Sequence, residues 1–258
     1  MDSVTRLPIQ RITAGGRIET EDTVVRELPL TIFLNGKELI TLLCSPLALD
    51  ALAVGFLFSE GIIKSRDEIA EVAVDAEGGM VRVSTTADIE LNLWSLSRPI
   101  VTSSGKKRSS SNPDGFTAQS RIESGVTVSV DEVMALVKEF QRRSAVFQAT
   151  GGVHSAAMCD TREILVFADD IGRHNAIDKV LGHCLLQGVA TDDRIILTSG
   201  RIPSEILLKV ARARVPIVVS VSAPTDLGVK LADGLGITVI GFVRGDRMNV
   251  YTHAERIT

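Results

Sequence analysis

Apolar residues in the first third of the chain come in short runs broken by turn residues, not in long periodic stretches. Leu28-Pro29-Leu30-Thr31-Ile32-Phe33-Leu34 meets Asn35-Gly36, and Leu39-Ile40-Thr41-Leu42-Leu43-Cys44 follows. Two β-rich runs around Asn-Gly predict a hairpin, because both turn residues tolerate the positive φ that a tight two-residue loop requires. Ser45-Pro46 then offers an N-cap and a proline for a first helical turn, and Leu49, Leu52, Ala53, Phe56 and Leu57 recur at helical spacing up to Gly61. Residues 72–74 and 80–83 flank Gly78-Gly79 and predict a second hairpin. Residues 1–22 precede these runs and are expected to be a flexible N-terminal segment.

Further along, residues 102–115 read Thr-Ser-Ser-Gly-Lys-Lys-Arg-Ser-Ser-Ser-Asn-Pro-Asp-Gly, with one proline as the only apolar residue. That composition predicts a mobile loop. Ser129-x-x-Glu132 matches a capping box, and Val133, Leu136, Val137 and Phe140 form one apolar helix face behind it. From Ala149 onward strands and helices alternate: strand 164–167, a helix carrying Ile177, Val180, Leu181 and Cys184, strand 195–198, helix 205–211, strand 217–221, helix 225–235 and strand 237–243. Such alternation predicts a three-layer α/β domain over residues 129–258 with a mixed, largely parallel sheet. A smaller N-terminal α+β part over residues 23–128 precedes it.

Composition narrows the class. The 258 residues are 45% hydrophobic, enough to bury a core, and 28 Lys plus Arg against 32 Asp plus Glu leave a net charge of -4. The balance lacks the basic excess of a nucleic-acid binder but permits one small anionic ligand. No apolar run approaches the length of a membrane span, and the first twenty residues lack a signal core. The three cysteines, Cys44, Cys159 and Cys184, are odd in number and too far apart for a disulfide framework or a Cys-x-x-Cys metal site. Reducing cytoplasm is the expected location, without membrane or nucleic-acid partners.

In α/β sheets, ligands collect beyond the carboxyl ends of strands, where glycine and polar residues lead into helix N-termini. Four segments fit: Thr150-Gly151-Gly152-Val153-His154-Ser155, Asp169-Asp170-Ile171-Gly172-Arg173-His174-Asn175, Thr198-Ser199-Gly200-Arg201 and Ser222-Ala223-Pro224-Thr225. Their glycines would let backbone N–H groups approach an anion, and Arg173 and Arg201 offer forked donors for phosphate. Taken singly, each segment also reads as a plain strand-to-helix turn. His154 and His174 occupy positions where an imidazole could bind a purine, move a proton or cap a helix, while His183 reads as scaffold. A further turn, Phe242-Val243-Arg244-Gly245-Asp246-Arg247, sets two arginines beside a strand end and suits a nucleotide diphosphate. Cys44 and Cys184 read as core residues, and Cys159 beside Asp160 is left open. Lys106-Lys107-Arg108 reads as a solvated run. His253-Ala254-Glu255 matches the His-x-Glu of zinc deaminases, but no Pro-Cys-x-x-Cys follows, so no metal site is expected.

Together these segments resemble the formate dehydrogenase accessory proteins, the FdhD sulfur carriers. Beyond the turns already quoted, the resemblance rests on Leu52-Ala53-Val54-Gly55-Phe56-Leu57-Phe58-Ser59-Glu60-Gly61 and on Asp170-Ile171-Gly172-Arg173-His174-Asn175-Ala176-Ile177-Asp178-Lys179. Gly241-Phe242-Val243-Arg244-Gly245 and Asn249-Val250-Tyr251-Thr252 extend it towards the end of the chain. It implies a cytoplasmic homodimer with a cytidine-deaminase-like fold without deaminase zinc. It also implies that sulfur arrives as a persulfide from a cysteine desulfurase and passes to the molybdenum cofactor, bis-molybdopterin guanine dinucleotide, before insertion into formate dehydrogenase. The family's cofactor-contact segment corresponds to residues 242–247, and Gly151, Gly152, His154, Arg173, His174, Ser199, Gly200 and Arg201 complete the expected cofactor-binding set.

One departure bears on activity. The family usually carries sulfur on cysteine in a loop after an Arg-x-x-x-Thr-Ser-Ser stretch, often as Cys-Gly-x-Cys-Gly. Here Arg98-Pro99-Ile100-Val101-Thr102-Ser103-Ser104-Gly105 runs into Lys106-Lys107-Arg108 without a cysteine. Serine offers neither sulfur nor useful acidity for persulfide chemistry, so no catalytic residue is carried over. Two expectations stand: a sulfurtransferase-family maturation factor whose sulfur transfer is relocated or lost, with Cys159 as the candidate if it has moved, and a dimeric, non-covalent cofactor-binding chaperone that forms no covalent intermediate.

Overall fold

The computed structural model describes residues 2–87 and 120–258. The loop expected at 102–115, with its Lys106-Lys107-Arg108 run, lies outside the described residues.

The N-terminal part centres on a four-stranded sheet. Strands β3 (Leu28–Leu34) and β4 (Lys37–Cys44) form the expected hairpin. Asn35 and Gly36 turn it with φ of 48° and 78°, the left-handed pair that Asn-Gly supplies at little cost. Strands β5 (Ile69–Asp75) and β6 (Met80–Thr85) form the second hairpin, and β6 runs parallel to β3, giving the order β4-β3-β6-β5. Helix α1 (Leu49–Ser59) covers this sheet, and Leu30, Ile32, Leu52, Leu57, Ile63 and Val81 form a dry core between them. The helix does not start at Ser45-Pro46. Its N-cap is Ala48 in a left-handed conformation, because the Ser45 side chain is drawn inward to bond Asp170 and Lys179.

The segment 1–22, expected to be flexible, is largely strand over its described residues. Strands β1 (Val4–Thr13) and β2 (Gly16–Val25) pair along their length as a separate two-stranded ribbon. Most of its residues are exposed, so no core face imposes strict alternation on its sequence and the pattern hides the strands. The base of the ribbon reaches the second half of the chain: a Cβ on Gly152 would stand 2.8 Å from a Val25 methyl.

The α/β part holds six strands in the order β12-β11-β10-β9-β7-β8. These are β7 (His154–Cys159), β8 (Ile164–Asp170), β9 (Ile195–Thr198), β10 (Ile217–Ser220), β11 (Thr238–Arg244) and β12 (Arg247–Thr252). Only β9, β10 and β11 are mutually parallel, and β8, β7 and β12 attach antiparallel, so the parallel portion is narrower than the alternation predicts. Hairpin connections on both flanks cause this, since a tight turn can only return antiparallel.

Helices α4 (Arg173–Gln187), α5 (Ser204–Arg212) and α6 (Asp226–Leu235) cover one sheet face, packing Ile177, Leu181, Leu207 and Val210 against Met158, Ile196, Val218 and Val239. Helix α2 (Val130–Arg143) covers the other, setting Val133, Leu136 and Phe140 against Leu197, Val219 and Ile240, and the short helix α3 (Ala145–Thr150) follows it. Its capping box is complete: the Ser129 hydroxyl accepts from the Glu132 amide at 3.2 Å, and the Glu132 carboxylate accepts from the Ser129 amide at 2.7 Å. The three expected layers are therefore present. Residues 120–128 belong to this unit and not to the part before it, since Ile122 joins its core and Val128 bridges Ile257.

Helices α1 and α4 join the two halves. A Cβ on Gly55 would stand 1.7 Å from the Asp178 carbonyl oxygen, and one on Gly182 would stand 1.9 Å from that of Ala51. Backbone meets backbone there, and any side chain would force the helices apart. Among the described residues, no helix is long and apolar enough to cross a membrane.

Candidate functional site

Topology gathers every described candidate segment at one end of the six-stranded sheet. The parallel strands β9 and β10 end there at Thr198 and Ser220. Antiparallel β7 begins there at His154, which lies opposite Asp170 at the end of β8. The loops are stitched together by backbone bonds from the Ser199 amide to the Ser155 carbonyl at 3.0 Å, from Ile202 to Ala223 at 3.0 Å and from Phe242 to Ser222 at 3.1 Å.

The glycines do not form the backbone cradle expected from the sequence. The Gly151 amide bonds the Phe147 carbonyl and Gly152 the Thr150 hydroxyl. Gly172 bonds the Asp170 carboxylate and Gly200 the Thr198 hydroxyl. Each of these donors is already engaged. Gly200 is needed for space instead, because a Cβ there would stand 2.9 Å from Cβ of Arg173. The missing side chain lets Arg173 lie across the loop.

The groups left to meet a ligand at this end are therefore side chains. Arg173 is half-buried at the first position of α4, whose N-terminus has no side-chain cap, so anion-favouring dipole and cation coincide. Burial, and then the charge of Arg201, push the Arg173 guanidinium pKa down, and its shielded Nε has no hydrogen-bond partner among the described residues. His154 Nδ1 lies 3.3 Å from the Ser199 hydroxyl, which also accepts the Ser155 amide at 3.0 Å. Burial first, and Arg173 second, lower the His154 pKa, so that ring is neutral near pH 7. His174 Nε2 stands 3.3 Å from Glu205 Oε2. That is an ion-pair contact without hydrogen-bond alignment, since the shielded nitrogen has no well-angled acceptor among the described residues. Arg201 is exposed at the rim.

The second part of the site is the hairpin joining β11 to β12. Gly245 and Asp246 form its turn, with φ of 60° at Gly245, and exposed Arg244 and Arg247 face each other across it. Phe242 also takes a left-handed φ of 54° at the bulge before the turn, a conformation that costs a non-glycine residue roughly 1 kcal/mol or more and concentrates at binding sites. The Arg244 guanidinium sits 5.9 Å from the Phe242 ring centroid. Val243 points inward to the core, so of the six expected residues in this turn it is the one that does not reach solvent.

A family model for the FdhD/NarQ family matches residues 25–258. The chain belongs to the FdhD/NarQ family. It is 44% identical to the sulfur carrier protein FdhD of Bacillus subtilis, covering 99% of this chain and 98% of the relative. It is 42% identical to that of Listeria innocua, with both chains covered completely. The crystal structure of a formate dehydrogenase accessory protein from Desulfotalea psychrophila superposes with a TM-score of 0.85 at 30% identity over the whole of both chains.

Within this FdhD/NarQ chain, the run from Asp170 to Lys179 divides by depth. Asp170 and Lys179 are fully buried and paired at 2.7 Å. Asp170 also accepts from the Ser45 amide at 3.0 Å, the Gly172 amide at 2.9 Å and Asn175 Nδ2 at 2.9 Å. Lys179 Nζ donates to the Ser45 hydroxyl at 2.9 Å and to the Asp169 carbonyl at 3.2 Å. Asp178 pairs with buried Lys209 at 2.8 Å and accepts the Ser59 hydroxyl at 2.6 Å. These residues are scaffold, and only Arg173 and His174 of the run face the site. Reasoning from sequence misses Glu205, and Asp169, which accepts the Ser155 hydroxyl at 2.6 Å and the Ser144 hydroxyl at 2.7 Å. Asp169 at least opens one of the four strand-end segments, but nothing marks Glu205 beyond its place in a helix.

The thiols are out of reach. Cys44 and Cys159 have no exposed surface and Cys184 has 1%. Burial pushes the Cys44 and Cys184 thiols up to about 12, and that of Cys159 higher still. Cys159 packs with Ala157, Ile164 and Ile195 in the core. Among the described residues no cluster of His, Cys, Asp or Glu could hold a metal ion.

Proposed function

We propose that this chain is a cytoplasmic maturation factor for formate dehydrogenase that carries the molybdenum cofactor, bis-molybdopterin guanine dinucleotide, as non-covalent cargo. The observation behind this reading is the side-chain set at the sheet end: Arg173, Arg201 and the two histidines beside one uncapped helix, with Arg244 and Arg247 on the adjoining hairpin. A guanine dinucleotide presents a pyrophosphate to such cations and a flat heterocycle to an aromatic such as Phe242. The arginines suit the organic part of the cargo, its pyrophosphate above all.

Its relatives are named sulfur carriers, and one expectation from the sequence is that sulfur transfer has moved to Cys159. Burial argues against that version. A thiol without exposed surface, held far above neutrality, supplies almost no thiolate to attack a persulfide donor. In this reading a cysteine desulfurase does not load the chain, and sulfur reaches the cofactor from another carrier. The chain acts as a homodimer and hands the loaded cofactor to formate dehydrogenase.

Calorimetry with GDP tests the cargo site. Binding by the full chain, reduced about tenfold or more in Arg201→Ala, is expected from loss of a charge-assisted contact. An absence of GDP binding, or equal binding by the variant, would overturn it. Incubation with a desulfurase and radiolabelled cysteine tests the non-covalent step, and a label on any of the three cysteines would sink it.

A further inference from the structure

We propose that Glu205 is a placeholder anion for the site, a carboxylate that neutralises the cations in the empty protein and yields its place to a phosphate on binding. The inference rests on the cargo reading above and concerns how that site is kept selective. Glu205 lies in the first turn of α5, directly behind the Ser199-Gly200-Arg201 loop. Its Oε2 is 3.3 Å from His174 Nε2. The His174 contact, together with the charges of Arg173 and Lys209 and against an opposing push from burial, holds its carboxyl below the ordinary range. The side chain remains 60% exposed, so it is free to swing away.

The charges around it explain why it would do so. Asp170 is committed to Lys179, and Asp178 and Glu60 are committed to Lys209. Asp169 is taken up by the Ser155 and Ser144 hydroxyls. Among the described residues, Glu205 is the acid whose charge acts on Arg173 and which stands beside His174. Its hold is loose: His174 Nε2 is shielded from water, yet no acceptor reaches it at hydrogen-bond angles, and Arg173 Nε is likewise unpaired among the described residues. A phosphate brings more charge and more acceptor oxygens than one carboxylate and can satisfy both donors together. Anions of lower charge would not repay the displacement, which gives a preference for di- or triphosphate groups over monoanions.

The test compares wild type and Glu205→Gln by calorimetry, with inorganic pyrophosphate and GDP as probes at low and at 0.5 M salt. The variant keeps the size and exposure of the side chain, so the fold is retained, as a matching thermal melt would verify. Binding about five- to tenfold tighter in Glu205→Gln is expected at low salt, with the gap closing at high salt as the charge is screened. Equal or weaker binding by the variant overturns the placeholder role alone, because a residue that merely orients His174 would weaken binding when changed. Failure of both proteins to bind either probe overturns the cargo reading and the placeholder together.

Discussion

Two sets of charges lie within a few residues of each other along α4, and they are treated in opposite ways. Beneath the helix, Asp170 with Lys179 and Asp178 with Lys209 are sealed from water, each carboxylate and ammonium meeting several partners at 2.6 to 3.2 Å. At its N-terminus, Arg173 and Arg201 crowd together with His174 and the neutral His154, with Glu205 as the facing acid and with polar atoms that have no hydrogen-bond partner among the described residues. Burying a charge is tolerable only when it is matched, so the first set is saturated and rigid. Cations left unmatched at a solvent-facing helix end are a standing demand for an anion. Saturation marks scaffold and surplus marks the candidate site, although one decapeptide carries both.

Breaking the saturated set should have the largest effect. Lys179→Met leaves Asp170 buried without its counter-ion, and a loss of about 3–5 kcal/mol is expected in urea unfolding. A loss below about 1 kcal/mol would show that the pair is not what holds the two halves at Ser45. Arg173→Ala acts on the surplus set. Its stability should stay within about 0.5 kcal/mol of wild type while its GDP affinity falls about tenfold or more. A large stability loss would place Arg173 with the scaffold.

The smallest effect is the dependence on pH. His154 has a pKa lowered from 6.5 by burial and by Arg173, so the unfolded chain binds more protons than the folded one between those values. The stability this contributes is fully present above pH 6.5 and is lost as pH falls through the lowered folded value. Melting temperature should decline across that window, and His154→Gln should flatten the slope. His183, lowered by burial as well, keeps part of it. Anion binding should respond in the other direction, strengthening as His154 gains charge, and an affinity flat with pH would remove His154 from the site.

Much of the fold is legible in the sequence, for physical reasons that differ by element. Asn35-Gly36 and Ser129-x-x-Glu132 declare a turn and a helix start through local chemistry, and both appear where expected. The alternating strands from Ile164 onward face apolar layers on both sides, so their composition betrays them. The β1–β2 ribbon has no such layer and stays hidden. Ser45 does not cap the helix it precedes because its partners, Asp170 and Lys179, lie more than a hundred residues away along the chain.

The candidate site is half legible. Its arginines and histidines can be picked out from their place after strands, but the role of the glycines cannot. Gly200 looks like an anion-binding amide in sequence and is in fact the clearance for Arg173.

By itself the amino-acid sequence determined most of the elements from Leu28 onward, the family and the absence of a loop thiol, because propensity, turn chemistry and residue identity are local properties. Which charges are matched, which amides are engaged and whether Cys159 meets water depend on neighbours that only folding supplies. The tertiary structure decided those questions. It seals all three thiols in the core and leaves Arg173 Nε and His174 Nε2 at one sheet end without a hydrogen-bond partner among the described residues.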